Sequence, residues 1–164
     1  MTAAEHRTIA ALSPEEVAEI EAQLAQVPTP ASATIEALRI VQHHRGWVSD
    51  QSVAAIARLL GTSPAAVDSV ATFYNLIFRE PVGRHVVMVC DSVSCYVMGC
   101  EKLTRTLASK LGVKVGQTTD DGRFTLLPIV CLGACDHAPA MMIDEDLILD
   151  AEPERLDEIL GRYA

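Results

Sequence analysis

No stretch of the 164 residues is apolar for long enough to span a bilayer, and the opening Met1-Thr2-Ala3-Ala4-Glu5-His6-Arg7 has no apolar signal core. The leader is acidic and poor in arginine, unlike a transit peptide, so the expected location is a bacterial cytoplasm. Positive charge is also scarce. Thirteen Lys and Arg against 22 Asp and Glu give a formal charge of −9. That balance argues against nucleic acid or an anionic membrane as partner, since both select basic patches. No glycine-rich dinucleotide fingerprint follows a strand, and there is no phosphate-binding loop and no nucleophile–base pair. Nothing is low-complexity or repeated.

What the chain does have is cysteine in pairs. Cys90 and Cys95 are separated by four residues, and Cys131 and Cys135 by three. Each pair follows an apolar run, His85 to Val89 and Phe124 to Val130, so two strand ends can converge their thiolates as an iron–sulfur cluster requires. Zinc sites built from two cysteine pairs usually have a shorter gap than the 35 residues from Tyr96 to Val130, but on spacing alone zinc stays open. A disulfide framework suits a short secreted chain, which this leader does not suggest. Cys100 repeats the four-residue spacing beyond Cys95. It opens the helical stretch Gly99-Cys100-Glu101-Lys102-Leu103, where a thiol packs more often than it ligates.

The chain divides near Pro81-Val82-Gly83 into an expected helical region, residues 1–80, and an α/β domain, residues 81–164. In the first, apolar residues recur at helical spacing after Ser13-Pro14-Glu15-Glu16, Ser32, Ser49-Asp50 and Ser63-Pro64, predicting four helices. In the second the pattern predicts a strand over His85–Cys90, a helix over Gly99–Leu111 and a strand from Phe124 to Cys131. A further strand is expected over Val113–Thr118, then a hairpin of Met141–Asp144 and Leu147–Leu149 turning at Glu145-Asp146, and a helix from Pro153. This succession suits a thioredoxin-like α/β domain behind an all-α bundle.

The residues Cys90-Asp91-Ser92-Val93-Ser94-Cys95, Gly116-Gln117-Thr118-Thr119, Asp121-Gly122-Arg123-Phe124-Thr125-Leu126 and Cys131-Leu132-Gly133-Ala134-Cys135 resemble the small [2Fe–2S] subunit of bacterial NADH:quinone oxidoreductase, respiratory complex I. Ser32-Ala33-Thr34-Ile35-Glu36-Ala37-Leu38, Gly46-Trp47-Val48 and Val70-Ala71-Thr72-Phe73-Tyr74 extend the resemblance over nearly the whole chain. It implies a thioredoxin-like [2Fe–2S] ferredoxin domain whose cluster is held by Cys90, Cys95, Cys131 and Cys135, one pair on each iron, with Cys100 an additional thiol. It also implies a flavin-bearing, NADH-oxidising partner subunit, other complex I subunits beyond it, and a place at the inner face of the plasma membrane without insertion. The cluster is then expected to store one electron off the main path to quinone. The same ferredoxin type serves NAD-reducing hydrogenases and NAD-dependent formate dehydrogenases. A free ferredoxin shuttle and a structural zinc module are the further alternatives.

Other features read more plainly. Gly99 and Gly133 leave room for amide-to-sulfur hydrogen bonds or simply satisfy turns, and Pro139 stiffens the exit from the second loop. Asp136 and His137 read as a solvated loop, Met141-Met142 as core, and His43-His44 as complements to a helix C-terminus. Trp47, Phe73, Tyr74, Ile77 and Phe78 exceed what a small bundle must bury and divide between core and a docking surface.

Overall fold

The computed structural model describes residues 12–163, and the chain splits between Pro81 and Val82 into two compact units. The first holds four helices: α1 (Pro14–Leu24), α2 (Thr34–Arg45), α3 (Asp50–Leu59) and α4 (Pro64–Phe73). Their starts follow from the caps. The Ser13 hydroxyl accepts from the Glu16 N–H at 3.1 Å while the Glu16 carboxylate accepts from the Ser13 N–H at 2.7 Å, a reciprocal capping box. Ser49 and Ser63 cap α3 and α4 in the simpler way, each hydroxyl accepting an amide three residues on. A single 3₁₀ turn, Pro30–Ala33, leads into α2, which the sequence pattern did not separate from that helix.

Ile20, Leu38, Val41, Val53, Ile56 and Val67 form the core of this unit. One charge lies within it. Glu16 is 1% exposed and takes a two-pronged pair from Arg45, Nε to Oε1 at 2.6 Å and Nη2 to Oε2 at 2.5 Å. That guanidinium holds the Glu16 carboxyl below the usual carboxylate range against the opposing pull of burial. The segment after α4 is tied back by two side chains. Gln42 donates to the Leu76 carbonyl at 2.7 Å and accepts from the Phe78 N–H at 2.6 Å, while Arg79 pairs with Asp50 and Asp68 and donates to the Val48 carbonyl. Of the apolar residues expected to divide between core and surface, Ile77 is core, Trp47 and Phe78 are half-buried, and Phe73 and Tyr74 are exposed. His43 and His44 lie exposed in the last turn of α2, His44 paired with Glu19 at 3.0 Å.

The second unit is a four-stranded sheet in the order β2-β1-β3-β4. Strand β1 (His85–Cys90) runs parallel to β2 (Phe124–Ile129) and antiparallel to β3 (Met141–Ile143), which pairs with β4 (Asp146–Ile148). Between β1 and β2 come α5 (Val93–Val97) and α6 (Cys100–Leu111), and α7 (Leu156–Gly161) closes the unit after a 3₁₀ turn at Pro153–Arg155. Pro128, which has no N–H to give, sits in β2 at the edge of the sheet. Met141 is fully buried and Met142 half-buried.

Three expectations need correction. Residues 113–118 are not a strand: they turn beside β2, with the Lys114 N–H taken by the Gln117 side chain at 3.0 Å and a single bridge between Thr118 and Thr125. The segment between the expected strand ending at Cys90 and the expected helix starting at Gly99 is not all loop but carries α5, Val93–Val97. The hairpin turns at Asp144-Glu145, one residue earlier than expected. Asp144 takes the left-handed conformation there (φ 54°), and its carboxylate accepts from the Val86 N–H at 2.9 Å and pairs with His85 Nδ1 at 2.7 Å.

Entry into β1 depends on a close backbone approach. A Cβ on Gly83 would lie 3.0 Å from the Gly122 carbonyl oxygen and 3.1 Å from the backbone carbonyl carbons of Arg123 and Phe124. Gly83→Ala is therefore expected to destabilise the protein by about 1–3 kcal/mol, the usual cost of forcing extra volume into packed structure. Urea unfolding followed by far-UV circular dichroism checks this. An unshifted midpoint would mean that the strand entry moves aside freely.

Candidate metal centre

The parallel pairing of β1 and β2 brings the two cysteine loops to one end of the sheet. Cys90 closes β1 opposite Ile129 of β2, and the Asp91 N–H continues the ladder to the Ile129 carbonyl at 3.0 Å. Cys131 leaves β2 two residues beyond that partner, and Cys135 opens a 3₁₀ turn, Cys135–His137. Cys95 lies on α5.

The two pairs differ in environment. Cys90 and Cys95 are each 2% exposed, whereas Cys131 and Cys135 are exposed. Ala140 serves the buried pair twice: its carbonyl accepts from the Cys90 N–H at 3.1 Å and its N–H points at Cys95 Sγ from 3.5 Å. Burial pushes the Cys95 thiol up to about 11, opposed by the Ala140 N–H. In the exposed pair the sulfurs stand 3.4 Å apart. Gly133, left-handed at φ 80°, turns its N–H onto Cys131 Sγ at 3.4 Å. That amide, helped by Cys135, holds the Cys131 thiol below its ordinary value. Cys135 is raised by Cys131 in turn, while the nearby Ser94 side chain opposes the rise. Among the described residues, no three His, Cys, Asp or Glu side chains gather as around a single ion.

This donor set fits a cluster of two irons. A tetrahedral metal with bonds of about 2.3 Å to sulfur sets its ligand sulfurs about 3.7 Å apart, close to the separation of the exposed pair. Amides aimed at two sulfurs suit thiolates whose charge must be held. Cys100 is buried at the start of α6, where burial and the nearby Cys90 raise its thiol. Asp136 and His137 are exposed, and His137 is braced by Asp150 at 2.9 Å, which raises the imidazole above its ordinary value. The peptide before Pro139 is cis.

Residues 20–164 match the thioredoxin-like [2Fe-2S] ferredoxin family. The chain belongs to that family. A [2Fe–2S] cluster is accordingly its cofactor. Among curated proteins it is 49% identical over 152 residues to the E subunit of NADH-quinone oxidoreductase from Pseudomonas aeruginosa, and 52% identical over 152 residues to that from Escherichia coli K12. Each match covers 93% of this chain and 92% of the relative. The chain is thus one of the E subunits of NADH-quinone oxidoreductase, an electron-transfer component of an oxidoreductase complex. Among solved structures, an NAD+-reducing [NiFe]-hydrogenase in its air-oxidised state is 25% identical with a TM-score of 0.60, covering 69% of this chain. The chain spans 20% of that hydrogenase chain. As expected from the missing apolar runs, no helix among the described residues is long and apolar enough to cross a membrane.

Two contributors to the site were not visible in the sequence. Ala140 acts through its backbone, which no side-chain pattern reveals. Ser94 is one of two hydroxyls, with Ser92, inside the first cysteine loop, and nothing in the sequence singles it out.

Proposed function

We propose that Cys90 and Cys95 hold one iron, and Cys131 and Cys135 the other, in a chain that takes single electrons from a flavin-bearing, NADH-oxidising subunit of its complex. The observation that carries this reading is the pairing of two buried and two exposed thiols at the shared exit of two parallel strands. When bound, the cluster supplies a site for one electron, its formal charge passing from about −2 to about −3. The protein does the rest. Cys90 and Cys95 keep water from one side of the site, and Cys131 and Cys135 bring the other to the surface, where an electron from a partner enters. The Gly133 and Ala140 amides oppose the added negative charge at Cys131 and Cys95.

Docking has a surface to use. Val93, Val97 and Met98 are exposed beside Cys135, an apolar rim that supports contact with a protein partner next to the sulfurs. In the helical unit, residues 1–80, Phe73, Tyr74 and Leu76 are exposed and support a second docking surface, leaving residues 81–164 to carry the cluster. The assembled chain then lies against the inner face of the plasma membrane through its complex.

Anaerobic purification with iron and acid-labile sulfide assay, followed by EPR before and after dithionite, tests the cluster. Two irons and two sulfides per chain, with a signal only after reduction, are expected; zinc without a signal in either state would withdraw electron transfer. Co-purification then tests the partner, which is expected to be a flavoprotein that oxidises NADH. The hydrogenase likeness supports a second reading as the equivalent component of an NAD-reducing hydrogenase, and a nickel-containing co-purifying chain would favour it.

Cys100 is outside this ligand set. Cys100→Ala is expected to retain full iron and sulfide, and a variant that folds but loses its cluster would bring Cys100 into the site.

A further inference from the structure

We propose that Cys131 and Cys135 are also a modification site: in the full chain before it takes up a cluster, a low-molecular-weight disulfide oxidises this pair to an internal disulfide, which blocks cluster loading until it is reduced. This rests on the ligand assignment above and adds a second chemistry to the same two sulfurs. Their Sγ atoms stand 3.4 Å apart and both residues are exposed, so an oxidant reaches them without any opening of the core. The other three thiols are sheltered. Cys90 and Cys95 are each 2% exposed and Cys100 is 3% exposed. Oxidation is therefore directed to one side of the site.

One of the two thiolates attacks a sulfur of the small disulfide, forming a mixed disulfide and expelling one thiolate. The second thiolate, 3.4 Å away, attacks the bonded cysteine sulfur, closes the Cys131–Cys135 bond and expels the other half of the oxidant. Two protein thiols are oxidised, the small disulfide is reduced to two thiols, and these take the two protons that the cysteines lose. Bond formation brings the sulfurs to about 2.05 Å. The movement falls on a short exposed connection. Cys131 lies just past β2, Cys135 opens a 3₁₀ turn, and Gly133 between them is exposed and left-handed at φ 80°. Once joined, the two sulfurs have no thiolate to offer an iron, so the exposed half of the ligand set is withdrawn while the buried half stays reduced.

The test is thiol counting and peptide mapping on the full chain, freed of metal by a chelator, reduced, desalted and then treated with oxidised glutathione. The chain has five cysteines, so with one pair joined the denatured product is expected to show three free thiols. Mapping is expected to place the bond between Cys131 and Cys135, and dithiothreitol is expected to restore all five thiols. Cys100→Ala is expected to form the same bond. Anaerobic incubation with ferrous iron and sulfide is then expected to load the reduced chain and to leave the oxidised chain without acid-labile sulfide. Five remaining thiols, glutathione adducts in place of the internal bond, or a bond to Cys90, Cys95 or Cys100 would each overturn the proposal. Full loading of the oxidised chain would overturn it as well. A reduced chain that takes up no iron and sulfide would instead defeat the cluster reading and with it the block on loading, while the thiol map still decides the disulfide.

Discussion

Cys131→Ala is expected to leave the purified chain without acid-labile sulfide and without the EPR signal of the reduced state, while its far-UV circular dichroism stays at the wild-type level. A four-thiolate cluster deprived of one ligand exposes an iron to water and thiol exchange, so the expected effect is loss of the cluster rather than a small shift. Cys131 is the best position for this test because it is exposed and its described partners are Cys135 and the Gly133 amide. No apolar packing is lost with it. The same change at Cys95 mixes ligand loss with a cavity, since that thiol is buried against Ala140. Full iron and sulfide in Cys131→Ala would remove the residue from the ligand set and return the choice of the fourth ligand to Cys100.

The second large effect lies in the helical unit. Arg45→Met keeps most of the side-chain volume but leaves the buried Glu16 carboxylate without its guanidinium, and the expected loss is about 3–5 kcal/mol near neutral pH. Trp47, the single tryptophan, lies two residues from Arg45 and reports unfolding of this unit by fluorescence in urea. The pH dependence follows from the lowered Glu16 pKa. A carboxyl whose folded pKa is depressed contributes stability that is fully present above its unfolded value, about 4.3, and disappears as pH falls through the lower folded value. In Arg45→Met the uncompensated burial raises that pKa instead, so protonation relieves the variant. The gap between the two proteins is therefore widest near pH 7 and narrows toward pH 3. A gap that stays constant over that range would show that Arg45 acts through packing and not through Glu16.

Both effects come from side chains whose types were legible and whose partners were not. Helix starts at Ser13, Ser49 and Ser63 could be read locally, because a cap and the amide it serves lie within three residues. The β1 and β2 strands could be read from their β-branched and apolar runs. Residues 113–118 failed because the segment meets β2 only at its end, where the Gly116 N–H donates to the Leu126 carbonyl, the Leu126 N–H donates to the Gln117 carbonyl and one bridge joins Thr118 to Thr125, and it turns before a ladder extends. Helix α5 was hidden because a five-residue helix carries too little periodicity to detect. Glu16 read only as a capping residue, and its pairing with Arg45, 29 residues away, depends on how α1 meets α2.

Cofactor chemistry and family were decided by order along the chain, since paired cysteines at strand exits and the motifs around them are linear properties. Folding in three dimensions decided which thiols are sheltered and which reach the surface, and which donors face each sulfur. Those properties arise from segments that meet only after folding: β1 beside β2, Ala140 against Cys90 and Cys95, and Ser94 beside Cys135. Burial and hydrogen bonding act through space at a few ångströms, so residues 40 or more positions apart set the electrostatics of one sulfur.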